Sequence, residues 1–190
     1  MLVSLGYLES TQAKASEQNY KDVMRILNYS AFHPITIFRY KVSDMIFRIH
    51  DDASYLYISR SRSWADGHHY LTNNSDNPPN NGAISTICKI PMNIMGSLSE
   101  AEIGSTYIND QNYITVRTCL IEMGDTQPPT KLQVYNTNVE EFSKGTPKKN
   151  TSKSKDIHFY WIQDRETQVQ FNIFWRLGKV NLGDYHTKHH

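Results

Sequence analysis

A strand is written into residues 45–56, MIFRIHDDASYL. Met45, Phe47 and Ile49 point to one side and Arg48, His50 and Asp52 to the other, as successive residues of an extended chain must. Two adjacent acids, Asp51 and Asp52, then interrupt the run where an apolar residue is expected. Two more strand candidates follow without a helix between them, SWADGHHYLT (63–72) and GAISTICKIPMNIM (82–95). The segment NNSDNPPNNG between them is dense in Asn, Pro and Gly and reads as a turn or loop. Three consecutive strands predict an antiparallel meander.

The next segment, SLSEAEIGSTYINDQNYITVRTCLIEMG (97–124), reads as helical. Ser99 is the expected N-cap, with Glu102 three residues later and Gly124 at the far end, and a break is expected near Asn109. TKLQVYN returns to strand character with Leu132 and Val134 on one face, and TNVEEFSKG follows as a short helix. The Lys-rich TPKKNTSKSK precedes a helix in DIHFYWIQDRETQV and a last strand in FNIFWRLG, with Phe171, Ile173 and Trp175 sharing a face. Ahead of everything, Tyr20, Val23, Met24 and Leu27 predict one amphipathic helix over 13–28, stopped by SAFHP. The order β-β-β-α-β-α-α-β predicts an α/β (mixed α+β) domain. Its five-stranded sheet has three antiparallel strands, then parallel ones reached through helix crossovers.

With 190 residues, one main domain with a real core is expected. Twenty basic against 19 acidic residues give a formal charge of +1, so overall charge neither argues for nucleic acid nor against it. Cys88 and Cys119 sit among apolar residues and read as two small buried side chains in a reducing, intracellular compartment. No run of about 18 apolar residues and no basic leader is present, so neither a membrane span nor a signal peptide is expected.

Asp52 leaves the polar face of the first strand, Glu102 opens the long helix, and Asp184 lies in NLGDYHTK after the last strand. Three carboxylates meeting at one sheet edge suit metal-ion catalysis, in which two Mg²⁺ about 3.5–4 Å apart activate water and steady a leaving oxygen. Each acid also has a plainer role. Asp51 and Asp52 could end a strand and start a turn, Ser99-x-x-Glu102 is a capping box, and Asp184 could cap a terminal helix. Lys148, Lys149, Lys153 and Lys155 form a cationic segment suited to backbone phosphates or to a solvated loop. His68 and His69 point to opposite faces of a strand and read as surface or half-buried residues. His186, His189 and His190 lie near the end, and zinc is not expected. Phe159, Tyr160 and Trp161 read as core packing rather than a base-stacking platform.

The segments SDMIFRIHDDASYL, NGAISTICKIPMNIMGSLSEAEIG, DIHFYWIQDR and FWRLGKVNLGDYHTKHH, in this order, resemble the ribonuclease H region of copia-type retrotransposon polyproteins. The resemblance runs from Lys41 to His190, and residues 1–40 resemble the segment joining that region to the reverse transcriptase. It implies a ribonuclease H-like fold that cleaves the RNA strand of an RNA/DNA hybrid with two Mg²⁺ (or Mn²⁺), beside a reverse transcriptase domain of the same polyprotein. It also implies an Asp, Glu, Asp, Asp ligand set, whose first, second and fourth members match Asp52, Glu102 and Asp184. The third does not match: the family has Asp-Asn after the fourth strand, whereas VYNTN puts Tyr135 there and keeps only Asn136. A phenol with an ordinary pKa of about 10 brings no charge to a divalent ion at neutral pH. Asp51 and Glu140 are the acids that could partly compensate for the missing ligand. Asp51 is expected to face away from Asp52, and Glu140 falls in the following helix.

Overall fold

The computed structural model describes residues 2–58, 62–92, 94–145 and 153–183. Five strands form one sheet: β1 (Ile46–Ile58), β2 (Arg62–Thr72), β3 (Ala83–Lys89), β4 (Thr130–Val134) and β5 (Phe171–Trp175). Their spatial order is β3-β2-β1-β4-β5, antiparallel from β3 to β1 and parallel from β1 to β5. The helices are α1 (Leu2–Thr11), α2 (Glu17–Phe32), α3 (Leu98–Glu122), α4 (Thr137–Ser143) and α5 (Lys153–Thr167). The mixed five-stranded architecture expected from the sequence is therefore present.

The alternation in β1 sets the layering. Phe47 and Ile49 join Leu132 and Val134 of β4 and Phe171 and Ile173 of β5 in one buried cluster. Ile103, Tyr113 and Leu120 of α3 and Ile162 of α5 close over it. Burying each such side chain contributes about 1.5–3 kcal/mol, enough together to fix α3 and α5 against this face. Arg48, His50, Lys131 and Gln133 are left on the opposite face by the same period of two.

Several local expectations are corrected. Ser97, not Ser99, caps α3: its side chain accepts from the Glu100 backbone N–H, while Glu100 Oε2 accepts from Gly96 N at 2.8 Å. The helix runs unbroken through Asn109. Gly124 ends it at φ +100, a conformation open to glycine and costly for other residues. Cys119 is exposed and only Cys88 is buried, both as free thiols. His69 is wholly buried rather than half-buried, stacked on Tyr113 with ring centroids 3.5 Å apart. The leading segment holds two helices, not one. α1 lays Gly6 against the Trp64 ring, while α2, closed by a Ser16–Asn19 capping box, buries none of its residues. Among the described residues no helix is long and apolar enough to cross a membrane.

Candidate active site

Asp51 and Asp52 lie within β1 rather than in a turn, and the pleat sends them to opposite faces. Asp51 is fully buried beneath α3. Ser105 Oγ and Thr106 Oγ1 each donate to it at 2.5 Å, and Asn109 Nδ2 at 2.8 Å. Ser105 Oγ also lies 2.8 Å from the Asp52 carbonyl, and Asn109 Nδ2 donates to the Asp66 carbonyl at 2.8 Å. Glu102, Ser105 and Asn109 share one face of α3, three and four residues apart. The bonds to Asp51 therefore hold Glu102 over the same end of the sheet.

Glu102 is 2% exposed, and its Oε2 has no hydrogen-bond partner. Because Ser97 does the capping, Glu102 is free of the capping role that its sequence position allowed. Asp52 is buried and pairs directly across the hairpin with Asp66, also buried. Neither Asp66 carboxyl oxygen meets a well-aligned donor. Like charges placed opposite each other on neighbouring strands repel. Glu102, Asp66 and Asp51 respond by holding protons. Burial, with Asp51 and Asp52 adding, pushes Glu102 up to about 9. Burial, with Asp52 and Asp51 adding, does the same to Asp66, also to about 9. Burial raises Asp51 to about 8 against the pull of its three hydrogen bonds.

The segment after β5 returns to this place. Asn181 Nδ2 donates to the Asp51 carbonyl at 2.8 Å, Leu182 N to His50 Nδ1 at 3.0 Å, and Gly183 N to Asn181 Oδ1 at 2.9 Å. His50 thus accepts at Nδ1 and carries its proton on Nε2, 2.8 Å from the Tyr70 hydroxyl. Burial lowers its pKa to about 3, which keeps it neutral. Gly183 lies so close that an added Cβ would stand 3.3 Å from Asp52 Cβ. Asp184 follows Gly183 in the chain and lies outside the described residues, as do Lys148, Lys149 and the side chains of Lys153 and Lys155.

Of the sequence-derived acids, Asp52 and Glu102 lie at the same end of the sheet, near enough for the Asp52 charge to raise Glu102, but it is Asp51 that faces α3. Tyr135, just beyond β4, is 47% exposed, with its ring against Gly178. Glu140 instead accepts from Trp175 N at 3.1 Å and is ion-paired with Lys144. Asp66, Ser105, Thr106, Asn109 and Asn181 were not legible from sequence. The signal for Asp66 is the hairpin itself, since folding SWADG back on HDDAS opposes the two acids. Among the described residues no three His, Cys, Asp or Glu side chains are grouped to hold a metal ion. What Asp52 and Glu102 offer is a hard-oxygen donor set, with the buried, unpartnered Glu102 Oε2 suited to a hard cation.

Two predictions arise here. A Cβ at Gly67 would fall 1.8 Å from Asn109 Oδ1 and 2.6 Å from His69 Cε1. Gly67→Ala is expected to cost about 1–3 kcal/mol, read as a lowered urea midpoint. The second concerns pH. Unfolded carboxyls titrate near pH 4, whereas folded Asp51, Asp66 and Glu102 keep protons to about 8–9, so the native state binds more protons across that window. His50 and His69, both lowered to about 3, act in the opposite direction only below their unfolded value of about 6.5. Between pH 6.5 and 9 the chelator-treated protein should therefore lose stability steadily, and melting temperatures that rise over that range would contradict the assignment.

No protein-family model and no curated protein matches the chain. Among solved structures, it is similar to the N-terminal RNase H domain of a Mycobacterium tuberculosis protein, solved as a fusion with maltose-binding protein. The TM-score is 0.54 at 10% identity, over 75% of this chain and 91% of that one. It is also similar to the RNase H domain of prototype foamy virus (TM-score 0.45, 11% identity, 75% of this chain, 88% of that one). A third match is the protease-reverse transcriptase of the same virus (TM-score 0.46, 10% identity, 80% of this chain, 20% of that one). With the sheet order and crossovers described above, the likeness to the mycobacterial domain means that this chain has a ribonuclease H-like fold.

Proposed function

We propose that this domain is a divalent-metal-dependent ribonuclease acting on the RNA strand of RNA/DNA hybrids, derived from the ribonuclease H region of a copia-type retrotransposon polyprotein. The observation that carries the reading is the return of the Asn181–Gly183 segment to β1 beside Asp52, at the end of the sheet over which α3 holds Glu102. Asp52, Glu102 and Asp184 would hold Mg²⁺ or Mn²⁺. Bound there, the cations supply an activated water and charge stabilisation at a phosphodiester. The chain's own part is positional. Ser105, Thr106 and Asn109 lock α3 to Asp51, His50 and Asn181 pin the C-terminal segment, and the closed packing limits water around the carboxylates.

Residues 1–40 are read as the connection to a reverse transcriptase domain, which would be the partner in the intact polyprotein. Lys148, Lys149, Lys153 and Lys155 would track hybrid phosphates by counterion release. Tyr135 in place of an acid weakens the metal set. It also favours a second reading, a module that binds hybrids without turnover. A labelled RNA/DNA hybrid assayed with Mg²⁺ and Mn²⁺ separates the two. Metal-dependent cleavage supports the nuclease, and salt-dependent binding without cleavage, even with Tyr135→Asp, replaces it with the binding module.

A further inference from the structure

The sheet face turned away from α3 carries a second polar constellation, whose cationic residues the ribonuclease reading does not use. Register aligns Arg48 with Lys131, His50 with Gln133, and Gln133 with Phe174. With Lys41, Tyr70 and Arg176 these side chains line a cavity of about 310 Å³. Two of its walls are left incomplete. Arg48 is 4% exposed and donates to the Ser75 carbonyl, but its Nε has no partner; Gln133 is 2% exposed, and its Nε2 has none either.

Charge makes the imbalance larger. Lys41, Arg48, Lys131 and Arg176 all line the cavity, and among the described residues no carboxylate does. The nearby Asp76 is exposed and taken by Lys131 Nζ at 2.8 Å. His50, neutral and spent on Tyr70 and Leu182, adds no compensating charge. A buried guanidinium without a bonded carboxylate, beside an orphaned amide donor, is costly unless an anion completes it. The forked Arg donors and converging ammonium groups suit a tetrahedral oxyanion carrying about two charges better than a carboxylate carrying one.

We infer that the cavity between β1, β4 and β5 on this face binds a phosphate group, supplied by a free pyrophosphate or nucleotide or by a nucleic acid strand. The test uses the full chain in chelator, so that it is read without metal or turnover and stands or falls separately from the ribonuclease reading. Sodium pyrophosphate and a short 5′-phosphorylated oligonucleotide are titrated by calorimetry and by thermal unfolding, with sodium acetate at equal ionic strength as control. Saturable binding with a rise in melting temperature is expected for one or both phosphate probes. It should weaken at least about tenfold in Arg176→Ala and Lys131→Ala, whose partly exposed side chains are dispensable to the core, and in Arg48→Gln. Binding of pyrophosphate identifies a free phosphate source, and binding of the oligonucleotide alone identifies the strand. Absence of binding by both probes, an equal effect of acetate, or unchanged affinity in Arg176→Ala and Lys131→Ala would overturn the inference.

Discussion

Asp52→Asn is expected to reduce hybrid cleavage by about 10³-fold or more and to flatten the Mg²⁺ binding isotherm, while leaving the fold in place. The side chain is buried at the sheet end beside Gly183, and its replacement has the same shape but no charge to offer a cation. Stability should hold or rise, because an amide of the same shape removes a charge buried opposite Asp66, whose own carboxyl burial keeps protonated. Single-turnover kinetics and calorimetry on the purified chain check both parts. An unchanged rate and isotherm would remove Asp52 from the site.

Tyr135→Asp is expected to change activity in the other direction, raising the cleavage rate by about 10²-fold. An added anionic ligand is worth several kcal/mol of charge stabilisation, and each 1.36 kcal/mol is a factor of about ten. The position tolerates the change. Tyr135 is half exposed, its ring lies against Gly178, and its carbonyl keeps the 2.9 Å bond from Trp175 Nε1 whatever the side chain. Equal rates for both proteins would mean that the residue after β4 plays no part, and the assignment of a weakened metal set would fall.

How much of this was legible beforehand depended on the range of the interaction. The alternation of Phe47 and Ile49 against Arg48 and His50 is local, so it announced the strand and its two faces; Leu132 and Val134 did the same for β4. The cap of α3 was harder. SLSEAE contains two overlapping Ser-x-x-Glu pairs, Ser97–Glu100 and Ser99–Glu102, and local sequence does not choose between them. In the structure Ser97 takes the cap, while Ser105, Thr106 and Asn109 dock the helix on Asp51 and so fix the face on which Glu102 falls. Cys119 looked buried beside Leu120, yet Tyr113, Arg117 and Leu120 take the inner face and the helical period turns residue 119 outward. The Asp66 and Asn109 contacts span 43 residues and need the hairpin register and the helix docking together, so neither could be read from spacing. The phosphate cavity is of the same kind, assembled from β1, β4 and β5 only once the parallel register is fixed.

The proposed nuclease requires acids far apart in the chain to form one cation-binding pocket. Crystals of the full chain soaked in Mn²⁺ and measured for anomalous scattering test this most directly. A peak bounded by the carboxylates of Asp52 and Glu102, with Asp184 as a third ligand, is the predicted result. Manganese bound only elsewhere, or Asp184 on a different surface from Asp52 and Glu102, would contradict it.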